Sequence, residues 1–115
     1  LGILGCSDLA SAVSGSCHGS QTVASMQVLI CTESPTLSVD QQGTLNTLCR
    51  SGMLGSTAND WRMGEACASA GRVGGCQRTV QGINVISWVY PSTTAVDANG
   101  ARAFCASLGA TYVAP

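Results

Sequence analysis

Seven cysteines in 115 residues constrain this chain more than any other feature of its sequence. None of them forms a C-x-x-C pair, and the chain has a single histidine, so the usual ligand pattern of a zinc site is missing. Dispersed cysteines in a short chain are typical of disulfide-stapled proteins in an oxidising compartment. The alternative is a cytosolic domain with buried free thiols. We predict an exported disulfide protein without metal or cofactor. The cysteines are Cys6, Cys17, Cys31, Cys49, Cys67, Cys76 and Cys105.

An odd number of cysteines leaves one outside an intramolecular framework, and Cys6 is the candidate. The segment Ile3-Leu4-Gly5-Cys6 resembles a bacterial lipobox, in which the cysteine carries a thioether-linked lipid. On this interpretation residues 1–26 are a signal remnant and tether, and residues 27–115 are one disulfide-rich domain. The alternatives for Cys6 are a free thiol and a bridge to another copy of the chain.

The charge content excludes some classes of partner. Only 10% of the residues are charged, the net charge is −1, and all positive side chains are arginine. Nucleic-acid binding needs clustered cations, so it is not indicated. The chain also lacks an apolar stretch of about 18 residues, so we predict no transmembrane helix.

Two stretches have a similar pattern. Residues 28–31 predict a strand, Ser38 to Gln41 resembles a capping box, and a helix that includes Cys49 ends at Gly52. In the second half, residues 76–80 and 83–90 predict strands around a turn at Gln81-Gly82, and Pro91 ends the second of them. A cap at residues 94–97, a helix ending at Gly109 and a last strand follow.

The similarity of the halves predicts an α+β fold in which two strand–helix–strand repeats share an antiparallel sheet. Within each repeat, the strand cysteine would meet the helix cysteine. The predicted bridges are therefore Cys31–Cys49 and Cys76–Cys105, which leaves Cys17–Cys67 as the third. Trp61 and Tyr112 fall at comparable places after the two helices.

Several segments of the second half carry a family resemblance. They are Ala66-Cys67, Gly71-Arg72-Val73-Gly74-Gly75-Cys76, Trp88-Val89-Tyr90 and Ala103-Phe104-Cys105. This pattern resembles small cysteine-rich lipoproteins of proteobacteria, especially myxobacteria, over about residues 31–112. The chain departs from the family where Ala68 replaces a proline, and Trp88-Val89-Tyr90 only approximates the family's aromatic pair. The resemblance implies export and disulfides, and it implies no activity.

The sequence shows no catalytic constellation. His18 follows Cys17, but sequence neighbours do not reliably face each other, so a bridged cysteine beside a surface histidine is expected. Asp40 and Asp97 stand at the two predicted helix starts, where a negative charge favours the helix dipole. We therefore predict that the chain is not an enzyme.

The strand at residues 83–90 is apolar on both faces, with Ile86, Trp88 and Tyr90 on one of them. Either a second layer covers these side chains or they bind a partner, because aromatic residues are enriched at interfaces. The leading hypothesis is a non-catalytic accessory or structural subunit of the bacterial cell envelope or the extracellular space. It would bind a protein partner or assemble with itself, with a lipid anchor at Cys6.

Two alternatives remain open. One is a periplasmic or extracellular ligand-binding module with a cleft lined by Trp61, Trp88 and Tyr90. The other is a small secreted hydrolase, which needs titratable groups that converge in a pocket.

Overall fold

Two hairpins, two helices and two return strands make up the part of the chain that the structure describes. In this computed structural model the described residues are 15–23, 26–34, 39–52, 57–91 and 97–115. The elements are β1 (Gly15–Val23), β2 (Met26–Glu33), α1 (Val39–Ser51), β3 (Thr57–Met63), β4 (Gly74–Val80), β5 (Ile83–Pro91), α2 (Ala98–Ser107) and β6 (Thr111–Val113). Within these ranges neither helix has the length and apolar character needed to cross a membrane.

All six strands form one antiparallel sheet in the order β3-β1-β2-β5-β4-β6. Each half of the chain supplies a hairpin, then a helix, then a strand that returns beside the first strand of its hairpin. The two halves join where β2 pairs with β5. The predicted α+β, disulfide-stapled fold with an antiparallel sheet is therefore confirmed.

The strand–helix–strand repeat is not confirmed, because each half begins with an additional strand. β1 had no counterpart in the prediction, and it lies inside the stretch that we interpreted as a tether. It pairs with β2 on one side and with β3 on the other. Residues 15–23 are therefore part of the sheet.

In the second half of the chain, a turn and a helix cap explain where the strands and the helix begin and end. Gln81 and Gly82 have φ angles of 49° and 79°, as a tight turn with two left-handed residues requires, and this turn matches the twist of a hairpin. Asp97 caps α2, because its side chain accepts a hydrogen bond of 2.9 Å from the backbone of Gly100. The predicted capping residues Ser38 and Thr94 lie outside the described residues.

The main core lies on one face of the sheet, under the helices. One cluster packs α2 against β2, β4 and β5 through Phe104, Ile30 and Val89, and the other packs α1 against β1 and β5 through Leu45, Leu48 and Val85. Near the middle of the sheet, Thr32 and Ser87 stand directly opposite each other in β2 and β5. Their buried hydroxyl groups share a hydrogen bond of 2.7 Å, which satisfies both polar groups.

One of the three predicted bridges is confirmed and two are wrong. Cys76–Cys105 joins β4 to α2, as predicted, whereas the other bridges are Cys17–Cys49 and Cys31–Cys67. Cys17 lies opposite Thr32, and the adjacent Cys31 must point to the other face because side chains alternate along a strand. Cys17 therefore faces α1 and binds Cys49, while Cys31 faces away from both helices.

The two strand-to-helix bridges have the same surroundings. Trp61 of β3 lies opposite Cys17, and Tyr112 of β6 lies opposite Cys76. Each aromatic ring covers a glycine two residues before the strand cysteine. A Cβ atom at Gly15 or Gly74 would come within 3.0 Å of that ring. Glycine, which has no side chain, therefore fits at both positions, and a larger residue would displace the ring.

Candidate functional site

The second face of the sheet carries residues 64–73, which connect β3 to β4 and which we call the covering segment. The cluster on this face consists of Cys31, Cys67 and Trp88 and contains no helix residue. The Cys31–Cys67 bridge attaches the covering segment to β2. The side chain of Arg72 lies over the ring of Trp88, with its guanidinium carbon 3.6 Å from the ring centroid.

Glu33 and Tyr90 add hydrogen bonds between the sheet and the covering segment. Glu33 accepts one bond of 3.0 Å from the backbone of Cys67 and another of 2.9 Å from the indole nitrogen of Trp88. The hydroxyl of Tyr90 donates to the carbonyl of Ala68. Burial raises the pKa of Tyr90, which keeps this donor protonated at neutral pH. The covering segment is thus held by one covalent link and a few polar contacts.

The residues predicted to bind a partner lie under or beside this segment. Trp88 is only 7% exposed because Arg72 and Cys67 cover it, and Ile86 and Tyr90 are half-buried. The sequence left two explanations for this apolar face, a second layer that covers it or a bound partner. For Trp88, the structure shows a second layer. Trp61 lies on the helix-covered face and packs against the cluster that contains Cys17, so it is not in the same place as Tyr90.

A cleft of about 560 Å³ opens beside the covering segment. Its floor includes Leu29, which is 48% exposed, and Tyr90, which stands directly opposite Leu29 in the β2–β5 pair. Pro91 follows Tyr90 at the end of β5. The remaining lining residues are His18, Gly19, Ile30, Cys31, Arg62, Glu65, Ala66, Ala68 and Gly71. The cleft therefore combines an apolar floor with a polar edge.

His18 is the centre of the polar edge. Its Nε2 atom lies 2.7 Å from the Ser16 hydroxyl, 3.6 Å from the sulfur of Cys31 and 3.7 Å from a carboxylate oxygen of Glu65. Burial, followed by the positive charge of Arg62, lowers the pKa of His18 below 6.5, although nearby carboxylates oppose the shift. His18 is therefore mostly neutral at neutral pH.

Arg62 links the acidic groups of this edge. Its guanidinium donates to Asp60 at 2.9 Å and to Glu65 at 3.0 Å, and these bonds raise the pKa of Arg62. Arg62 and Glu65 are the charged residues that line the cleft, and because their charges are opposite and paired, the lining has little net charge to attract a strongly charged ligand. Exposed pairs of this type contribute little to stability.

Ser16, His18 and Glu65 have the residue types of a serine-hydrolase triad but not its arrangement. In a triad the hydroxyl and the carboxylate contact opposite nitrogens of the imidazole, whereas here both approach Nε2. Ser16 is also fully buried, so a substrate could not reach its hydroxyl. In the part of the chain that the structure describes, no three side chains of histidine, cysteine, aspartate or glutamate come together as a metal site.

The polar edge is the feature that sequence reasoning missed. Arg62 and Glu65 come next to His18 only because β3 pairs with β1, and β3 carries no clear strand pattern. The predicted lipidation site, Cys6, lies outside the described residues.

Comparison of the chain with models of protein families, with curated proteins and with solved structures finds no match. The functional interpretation therefore rests on the geometry of the cleft and on the three disulfides.

Proposed function

We propose that this chain is a non-catalytic accessory subunit of the bacterial cell envelope or the extracellular space that binds a protein partner through the cleft. The observation that carries the proposal is the position of Leu29. This large apolar side chain is 48% exposed and lies on the floor of a concave surface, next to Tyr90 and Pro91. Apolar anchors that enter such pockets dominate the energy of many protein interfaces.

The three disulfides support the assignment to an oxidising compartment. Kinship with the cysteine-rich bacterial lipoproteins and a lipid on Cys6 belong to the same proposal. With six cysteines paired within the chain, Cys6 is the one left for an anchor. A lipid there would hold the sheet close to a membrane surface.

The site geometry favours binding over catalysis. The only histidine is mostly neutral and contacts a buried serine, and the carboxylate of Glu65 already accepts a hydrogen bond from Arg62. These groups satisfy one another and leave no activated nucleophile. They form a hydrogen-bonding rim beside the apolar floor.

The lining residues indicate the chemistry of the partner. An apolar side chain of the partner would fill the space over Leu29 and Tyr90, and a neutral polar group beside it would meet the edge formed by His18 and Glu65. The two charged residues of the lining, Arg62 and Glu65, have opposite charges, so the cleft does not favour a strongly charged peptide. We therefore expect a partner segment with an aliphatic or aromatic anchor flanked by uncharged polar residues.

Site-specific photo-crosslinking in the native host tests this proposal. A photoreactive phenylalanine analogue replaces Leu29 in one variant and Asn84 in the control. Asn84 is also exposed, lies on β5 and is not part of the cleft. The expected result is one discrete crosslinked protein at position 29, which an excess of wild-type protein competes away and an excess of Leu29→Asp does not, and no such product at position 84. Equal products at both positions, or none at position 29, would contradict partner binding through the cleft.

Binding of a small molecule is the second candidate, because a cleft of about 560 Å³ falls within the range of small-ligand sites. Native mass spectrometry of the protein isolated from its host distinguishes the two. A co-purifying mass of a few hundred daltons that Leu29→Asp removes would favour the small ligand over the protein partner.

A further inference from the structure

The Cys31–Cys67 bridge differs chemically from the Cys76–Cys105 bridge. The Nε2 atom of His18 lies 3.6 Å from the sulfur of Cys31. In contrast, the sulfur of Cys105 lies 3.3 Å from the carbonyl oxygen of Gly75. An imidazole N–H stabilises a thiolate that forms next to it, whereas a carbonyl oxygen destabilises a neighbouring negative charge.

Access to the sulfur atoms also differs. Cys31 lines the cleft and is 3% exposed, and Cys67, which lies between the lining residues Ala66 and Ala68, is 8% exposed. The four cysteines of the other bridges are at most 1% exposed and lie under the helices. A thiol in solution therefore reaches the Cys31–Cys67 bridge without opening the main core.

We propose that Cys31–Cys67 is an exchange-reactive disulfide that external dithiols open, with His18 as the hydrogen-bond donor to the departing sulfur of Cys31. This property does not depend on which partner occupies the cleft.

The position of His18 sets the direction of the reaction. The thiolate of the dithiol attacks the sulfur of Cys67, the S–S bond breaks, and its electron pair moves to the sulfur of Cys31. His18 donates a hydrogen bond through Nε2 to the new thiolate, which then takes a proton from solvent. The second thiol of the reagent attacks the mixed disulfide and releases Cys67 as a thiol. The dithiol is oxidised to a disulfide by two electrons, and the bridge is reduced to two thiols.

Opening this bridge would release the covering segment. The segment would then keep only non-covalent contacts with the sheet. These are the hydrogen bonds of Glu33 and Tyr90, the contact of Arg72 with Trp88, the contacts of Glu65 with Arg62 and His18 at one end, and the backbone hydrogen bonds of Val73 at the other end. Loss of these contacts exposes Trp88 and removes one wall of the cleft. Reduction would therefore change the binding surface while Cys17–Cys49 and Cys76–Cys105 keep the helices in place.

Timed reduction of the folded protein with dithiothreitol, followed by alkylation and peptide mass spectrometry, tests the proposal. The expected result is that Cys31–Cys67 opens at least about tenfold faster than both other bridges, with a red shift of tryptophan emission. His18→Leu, which removes the donor, slows that opening by about tenfold, the equivalent of one charge-assisted hydrogen bond. The matched control is Gln77→Ala, since Gln77 follows Cys76 as His18 follows Cys17, and it leaves all rates unchanged.

A second measurement uses only the wild-type protein. With glutathione, a monothiol, the first mixed disulfide trapped by alkylation should be on Cys67, because Cys31 is the sulfur that leaves. Simultaneous opening of all three bridges, an unchanged rate in a folded His18→Leu variant, or a first adduct on Cys31 would overturn the proposal.

Discussion

The two faces of the sheet are stabilised in different ways. On the helix-covered face, two fully buried bridges pin α1 and α2 over clusters of apolar side chains. On the other face, a segment without regular structure is attached by one bridge and otherwise by polar contacts. These are hydrogen bonds from Glu33 and Tyr90, one stacked arginine, the pair of Glu65 with Arg62 and the backbone hydrogen bonds of Val73. The first face supplies the global stability of the fold, and the second is a layer that can open locally.

This difference separates stability from function. The clusters under the helices consist of buried apolar side chains such as Val28, Leu45 and Val85. The cleft, the polar edge and the Cys31–Cys67 bridge all lie on the face covered by the segment. Changes on the helix-covered face should therefore alter the free energy of unfolding, and changes on the other face should mainly alter binding and local opening.

The largest difference is expected when the two kinds of bridge are removed. The double variant Cys76→Ala/Cys105→Ala should lose about 4 kcal/mol in the free energy of unfolding, because it removes both the crosslink and two packed sulfur atoms of the core. The pair Cys31→Ala and Cys67→Ala should cost about 2 kcal/mol. The sequence separations of 29 and 36 residues predict nearly equal chain-entropy effects. Equal losses in urea unfolding would therefore show that the two faces do not differ.

The second largest effect on stability is expected at Gly15, the glycine of β1 that the ring of Trp61 covers. Gly15→Ala should cost about 1–3 kcal/mol, because the new methyl group meets the ring of Trp61. Gly43→Ala is the matched control, since Gly43 is exposed in α1 with open space around it, and it should stabilise the protein by about 0.5–1 kcal/mol. Thermal unfolding followed by circular dichroism measures both. A similar effect of the two substitutions would contradict the close packing at Gly15.

A smaller effect is expected at the attachment of the covering segment. Glu33→Ala leaves the indole N–H of Trp88 and the backbone N–H of Cys67 without their acceptor. We expect a loss of about 1–2 kcal/mol in the free energy of unfolding and a shift of tryptophan emission. Glu33→Gln, which keeps one oxygen acceptor, should lose less. An unchanged emission spectrum in Glu33→Ala would indicate that Trp88 does not depend on this contact.

How much of this structure the sequence predicts differs between the two halves. The second half gave clear signals, since Gln81-Gly82, Pro91, Asp97 and Gly109 mark the limits of its elements. β1 and β3 have no such pattern. The positions of β1 that face α1 hold Gly15 and Cys17 rather than large apolar residues, because an aromatic ring from β3 fills the space.

The bridge pairing failed for a related reason. Whether Cys17 or Cys31 faces α1 depends on the register of β1 against β2, and a shift of one residue reverses the faces. The polar edge depends on a second register, that of β1 against β3, which brings Arg62 and the following Glu65 to the side of His18. Both features are set by contacts between distant parts of the chain, which a local pattern does not encode.

The smallest expected effect is the pH dependence from His18 on the cleft side. Because folding lowers its pKa below 6.5, the unfolded chain binds the proton more strongly. Its contribution to stability is therefore complete above pH 6.5 and is lost as the pH falls through the lower pKa of the folded state. The free energy of unfolding should decrease more between about pH 7 and about pH 5 in the wild type than in His18→Gln. Parallel profiles would contradict the burial of His18.

Peptide mapping of the oxidised protein without reduction tests the central claim most directly. Our account predicts three linked pairs, Cys17–Cys49, Cys31–Cys67 and Cys76–Cys105. A peptide that links Cys31 to Cys49, or free thiols at these positions in native material, would contradict the assignment of two bridges to the helices and one to the covering segment.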